Sequence, residues 1–140
     1  MIDSSASLAS INALGKGNMC EHLDIEITDV SDKSLSGKMP VDHRTKQPMG
    51  LLHGGASVVL AETLGSIASS LCINQEKQFC VGLEINANHI KAVKEGYVYG
   101  KAKAIHIGRK THIWEVRIVD EQEKLICISR LTVAVLDKQV

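Results

Sequence analysis

The chain has 140 residues, and Lys+Arg 16 balance Asp+Glu 16, so no global field draws it to nucleic acid or an anionic membrane. Hydrophobic residues at 44% and charged residues at 23% exclude a disordered tail and make residues 1–140 one domain's worth of globular chain. Aromatic residues at 3% are too few for the exposed rings on which single-stranded nucleic acid stacks.

Leu8, Ile11 and Leu14 recur at helical spacing, which predicts a helix over Ser7 to Leu14 that Gly15 and Gly17 stop. Leu23 to Thr28 alternates as a strand. Ser34 to Met39 is its hairpin partner across Ser31-Asp32-Lys33, closed by Pro40. His43 to Leu52 is irregular, with Pro48 and Gly50. A long apolar helix follows from about Gly54 to Ile73.

The remainder reads as four strands. Val81 to His89 sets Val81, Leu83, Ile85 and Ala87 against Gly82, Glu84, Asn86 and Asn88. Tyr97 to His106, Ile113 to Val119 and Leu125 to Leu136 come next, separated by turn signals such as Gly108-Arg109-Lys110. An antiparallel sheet must bury one face, and one long apolar helix is its natural cover. The expected class is α+β, a sheet wrapped around one central helix.

Cys20, Cys72, Cys80 and Cys127 are widely spaced and form no CxxC pair, so no metal site is expected. The last three sit in apolar runs, as reduced cysteines of a cytoplasmic protein do. Met1 to Ser5 lacks a basic region followed by an apolar run, so no signal peptide is expected. The stretch Ala56 to Ile73 is broken by Glu62 and serines and falls short of the roughly 20 apolar residues of a membrane span.

On a helical wheel, Leu60, Leu64, Ile67 and Leu71 fall on one side, and Gly55, Glu62, Ser66 and Ser69 on the other. That second face is expected to form a polar stripe around the helix's lone charge. The stripe leads back to His53-Gly54-Gly55, where bare backbone N–H groups at the positive end of the helix dipole can take an oxyanion. Glu62 lies about two turns from Gly54, roughly 12 Å by rise, too far for one helix to present both groups to one carbon. Two antiparallel helices of a homodimer would bring them together.

The ordered run Met39 to Gly55, with Gln47 before His53-Gly54-Gly55, followed by Leu60 to Ser66, Val81 to His89 and Ser129 to Thr132, resembles the hotdog-fold acyl-CoA thioesterases. Within them it is similar to the branch of 1,4-dihydroxy-2-naphthoyl-CoA hydrolases and aromatic acyl-CoA thioesterases, and the likeness spans about Leu23 to Leu136. Another branch carries Asp or Asn in the helix and Asn before HGG; Glu62 and Gln47 favour the first.

The resemblance implies two protomers joined in a continuous sheet, paired again as a homotetramer. It places Glu62 as nucleophile or general base, Gly54 N–H as oxyanion donor, and Gln47 and His53 as holders of the thioester. Ser66 falls near the leaving thiolate or the attacking water. Gly82 counts with the substrate-binding residues, and His89, Lys91, Gly108 and Arg109 with those for coenzyme A, where Lys91 replaces the usual arginine and loses its bidentate fork. Met49, Val59 and Thr63 are expected to line the acyl pocket. No cofactor is implied beyond the coenzyme A of the substrate, and an acyl or aryl carrier protein would present the same pantetheine arm. The competing readings are a non-catalytic acyl-CoA-binding module and a hotdog hydratase or dehydratase.

Overall fold

Ser7 opens α1 (Leu8–Ala13) by accepting the Ser10 N–H through its hydroxyl at 3.1 Å. The computed structural model describes residues 1–139. Beyond Gly17 the chain makes a second short helix, α2 (Met19–His22), which the apolar periodicity does not announce. Its cause is local: the Asn18 side chain caps it, accepting the Cys20 N–H at 3.0 Å. Leu23 therefore closes a helix instead of opening a strand, and Asp24, at φ 56, turns the chain.

The strand expected over Leu23 to Thr28 is β1 (Glu26–Val30), followed by β2 (Ser34–Pro40). The central helix α3 (Gly54–Ser70) ends short of Ile73, because the Cys72 N–H has already tightened onto the Ser69 carbonyl at 3.0 Å. Then come β3 (Gln78–His89), β4 (Tyr97–Ile107), β5 (Thr111–Val119) and β6 (Leu125–Asp137). They form one antiparallel sheet in the order β1-β2-β4-β5-β6-β3.

Leu60 and Leu64 of α3 are fully buried against Leu35, Val98, Trp114 and Leu131 of the sheet. Each such leucine contributes about 1.5–3 kcal/mol relative to exposure. Ser69 does not belong to the polar stripe assigned to it. It faces the sheet, fully buried, and accepts the indole N–H of Trp114 at 2.8 Å. A buried indole needs an acceptor, and this hydroxyl supplies it.

The alternation read along β3 is also corrected. Gly82 pairs with Val133 and Ile85 with Leu131, so Leu83 is an extra residue in a bulge between them. Gly82, Ile85 and Ala87 consequently face α3, while Val81 and Leu83 point outward, Leu83 at 63% exposure. Among the described residues β3 has β6 on one side and no strand on the other, so its outer edge carries free backbone hydrogen-bonding groups. No helix of the described residues is long and apolar enough to cross a membrane.

Candidate active site

Two cavities lie along α3, and the sequence-predicted residues divide between them. The first, about 320 Å³, surrounds the helix start and is lined by Gln47, Gly54, Ser57, His89, Lys91 and neighbouring apolar residues. The second, about 290 Å³, lies further along the helix and holds Glu62, Thr63, Ser66 and Ile67.

At the first cavity His53 is the N-cap of α3, its Nδ1 accepting the Gly55 N–H at 2.8 Å. With Nδ1 as the acceptor, the other ring nitrogen is the one that can donate. The Gly54 N–H has no partner among the described residues and opens toward the cavity end of the helix dipole. The close approach of His89 depends on the glycine: a Cβ at residue 54 would stand 2.7 Å from His89 Nε2 and would push the imidazole aside. His89 thus joins this cluster from β3, across the sheet from its position in sequence.

Gln47 is oriented by its own loop. Its side-chain Oε1 accepts the Met49 N–H, which leaves the amide N–H groups free to donate. The loop is held upstream by Asp42 and Arg44, whose Nη2 lies 2.6 Å from Asp42 Oδ2, while Arg44 Nη1 donates to the His22 carbonyl at 3.0 Å. The Arg44 guanidinium holds the Asp42 carboxyl down at about 2. Met49, expected in the acyl pocket, is 78% exposed in the single chain and lines neither of its two cavities. A short irregular loop gives its side chain nothing to pack on. Val59 is half-buried and packs on the core, whereas Thr63 lines the Glu62 cavity.

At the second cavity Glu62 is half-buried, and no Lys or Arg pairs with it among the described residues. Its carboxylate lies over Gly82 on β3: a Cβ at residue 82 would overlap Oε1 and stand 3.3 Å from Cδ. Gly82 therefore leaves space for the carboxylate. Ser66 follows one turn later on the same wall.

The residues expected for coenzyme A separate. His89 and Lys91 lie at the helix-start cavity, but Lys91 Nζ is already 2.7 Å from Asp120 Oδ2. Lys91 is the foremost cause holding the buried Asp120 carboxyl below its ordinary range, aided by the Lys124 and Gln122 N–H groups. Arg109 lines a different cavity with Gln78, Lys110 and Asp137, and Gly108 opens its turn, donating N–H to the Thr111 carbonyl at 2.9 Å. Gln78 and His89 are the two ends of β3, roughly 36 Å apart at strand rise. One chain cannot offer Lys91 and Arg109 to the same phosphate.

Sequence reasoning missed four contributors: Ser57 beneath the first cavity, Asp120 on Lys91, and Leu14 and Cys20 on the second cavity. Ser57 sits one turn into a recognisable helix and could have been found by its spacing from His53. The other three owe their place to long-range packing.

Comparison with known proteins identifies the family of this fold. The model of the thioesterase superfamily matches residues 49–127. The chain is 52% identical to 1,4-dihydroxy-2-naphthoyl-CoA hydrolase of Escherichia coli over 130 residues, 93% of this chain and 95% of that protein. It is 49% identical to the proofreading thioesterase EntH of Cronobacter turicensis over 93% of this chain and 94% of that one. A crystal structure of a thioesterase from Pseudomonas aeruginosa superposes with a TM-score of 0.95 at 47% identity, covering 98% of this chain and 99% of that one. With its sheet curled over a single central helix, the chain is a thioester hydrolase of the hotdog fold and belongs to the thioesterase superfamily.

Proposed function

We propose that the chain hydrolyses acyl-CoA thioesters with aromatic or medium-length acyl groups, in an active site shared between two copies. The observation that carries this is the division of one helix into two half-sites. Gly54 and Gln47 line one cavity, with His53 beside it as the helix cap, and Glu62 with Ser66 line another, about 12 Å along the axis. The free outer edge of β3, beside Gly82, supplies the place for a second copy to join. Antiparallel pairing there would run the two α3 helices antiparallel, setting each helix start beside the partner's Glu62 and each Lys91 end of β3 beside the partner's Arg109. Pairing the dimers again as a tetramer belongs to the same proposal.

In this scheme the thioester carbonyl oxygen takes hydrogen bonds from the Gly54 N–H and the Gln47 amide, with His53 donating through its free ring nitrogen. These donors are placed before charge develops, which is where such groups are worth most. The partner's Glu62 either adds to the carbonyl carbon, giving a mixed anhydride that water opens, or takes a proton from water as the water adds. Both routes break the C–S bond and end in free acid and thiol, with Ser66 beside the departing sulfur or the water. Water is the sole co-reactant and no metal or cofactor enters. The relative named for hydrolysis of a naphthoyl-CoA supports an aromatic acyl group.

The test is a mixing experiment on a panel of aryl and aliphatic CoA esters, read by thiol release. Glu62→Gln alone and Gln47→Ala alone are each expected to be folded and nearly inactive. Refolded together, about half the dimers are mixed and each has one intact site, so about a quarter of wild-type activity returns. Wild-type turnover by Glu62→Gln would remove its assigned role, and an inert mixture would refute the shared site.

A further inference from the structure

We propose that the N-terminal segment, through Cys20 and Leu14, forms the closed wall of the Glu62 cavity and sets the largest acyl group the enzyme accepts. The inference rests on the role of Glu62 proposed above and adds a specificity determinant to it. The cavity has two unlike sides. One is α3, with the polar Glu62, Thr63 and Ser66; the other comes from the ends of α1 and α2, with Leu14, Gly15 and Cys20. An acyl group whose carbonyl is attacked from the Glu62 side lays its apolar body against the second wall.

That wall cannot retreat. Cys20 Sγ stands 4.0 Å from Thr63 Oγ1, spanning the gap between the two sides. A Cβ added at Gly15 would stand 3.1 Å from Cys20 Cβ, so the two residues of the wall are packed tightly side by side. The segment is also tied down. Asn12 clamps it to β1, donating to the Ile27 carbonyl at 2.9 Å and accepting the Ile27 N–H at 2.7 Å. Arg44 holds the far end through the His22 carbonyl at 3.0 Å, and the Asp3 N–H reaches the Leu71 carbonyl, at the end of α3, at 2.8 Å. Volume added at Cys20 must therefore come out of the cavity, and volume removed there must be added to it.

Leu14 completes the argument at the rim. It is 61% exposed, an apolar side chain left facing the opening beside the reactive carboxylate. Covering it with an acyl chain removes apolar surface from water, which favours longer or wider groups up to the limit that Cys20 imposes. Cys20 acts here by size; its thiol takes no part in the chemistry.

The experiment measures kcat/KM on CoA esters graded from acetyl to naphthoyl for the full chain and for Cys20→Leu, Cys20→Ala and Leu14→Ala. The reported quantity is the ratio of the largest to the smallest ester, with a melting curve for each variant. Cys20→Leu is expected to lower that ratio about tenfold, the scale of discrimination set by a methylene or two in a filled pocket. Cys20→Ala is expected to raise it, and Leu14→Ala to lower it by removing the rim contact. Ratios equal to wild type in Cys20→Leu and Cys20→Ala, with turnover of every ester scaled alike, would overturn the inference while leaving the Glu62 reading intact. If Cys20→Leu does not fold, an unraised ratio in Cys20→Ala overturns it. Absence of thiol release from every ester by the wild-type chain would overturn the Glu62 reading, and this inference with it.

Discussion

Replacing Gly82 by alanine tests the position of the Glu62 carboxylate without touching its charge. The added methyl would overlap Glu62 Oε1 and approach Cδ to 3.3 Å, whereas its next neighbour, Leu131 Cδ1, is at an ordinary 3.8 Å. The collision therefore falls on the carboxylate alone. Restoring normal contact at about 3.5–4.0 Å requires the carboxylate oxygen to move by at least about 1 Å. A displacement of that size costs about 10²-fold in rate when the group is the reacting one, equivalent to about 2.7 kcal/mol of barrier. The backbone should gain slightly, since alanine in a strand is favoured over glycine by about 0.5–1 kcal/mol. The assay is kcat and KM for a CoA ester together with a urea melt. Lower kcat with an unchanged or higher melt midpoint is expected. A Gly82→Ala chain that keeps wild-type kcat would refute the reasoning, because the carboxylate would then have no need of the space that glycine leaves.

Two further outcomes follow from the buried polar groups. Ser69→Ala strands the Trp114 indole N–H in the core and should cost about 1–3 kcal/mol in a denaturant melt with kcat/KM retained; an unshifted melt would show that the 2.8 Å bond contributes nothing. His112 is buried with Nδ1 unpartnered among the described residues, and burial foremost pushes its pKa down. Its folded pKa lies below an unfolded value of about 6.5, so the unfolded chain binds the extra proton and stability is lost as pH falls below about 6.5. Melts at pH 7.5 and 5.5 should differ less in His112→Phe than in the parent chain, and equal differences would exclude His112 as the cause.

What could be read in the sequence was whatever has a local physical cause. The α3 helix was legible because one carboxylate interrupts an otherwise apolar run, and its start because two glycines follow a histidine cap. The strands were legible from turn residues spaced at hairpin intervals, so the sheet and its cover were in view. The bulge at Leu83 was not, because it exists only as a register against β6, and without it period-two alternation puts Val81 and Gly82 on the wrong faces. Ser69 looked polar on a wheel; its partner Trp114 is 45 residues away. Lys91 looked free for a phosphate, and Asp120, which holds it, lies 29 residues on. His89 and Arg109 are 20 positions apart in the chain, yet a strand and a turn carry them to opposite ends of the sheet.

The sheet order has a consequence for how the molecule is made. Among the described residues β3 pairs with β6 and with no other strand, and Gln78 reaches its hydrogen-bonded neighbour Asp137 across 59 residues. During synthesis α3 and β3 leave the ribosome while the strand that will hold β3 is still unmade. Until β6 emerges and slots between β5 and β3, Gly82 and His89 have no fixed station and the apolar side of α3 is only partly covered. Such long-range closure is slow and leaves sticky surfaces open in the meantime. Loss of the C-terminal strand would therefore release the residues around the helix start and the carboxylate together, although that strand gives their two cavities no lining residue but Ile126.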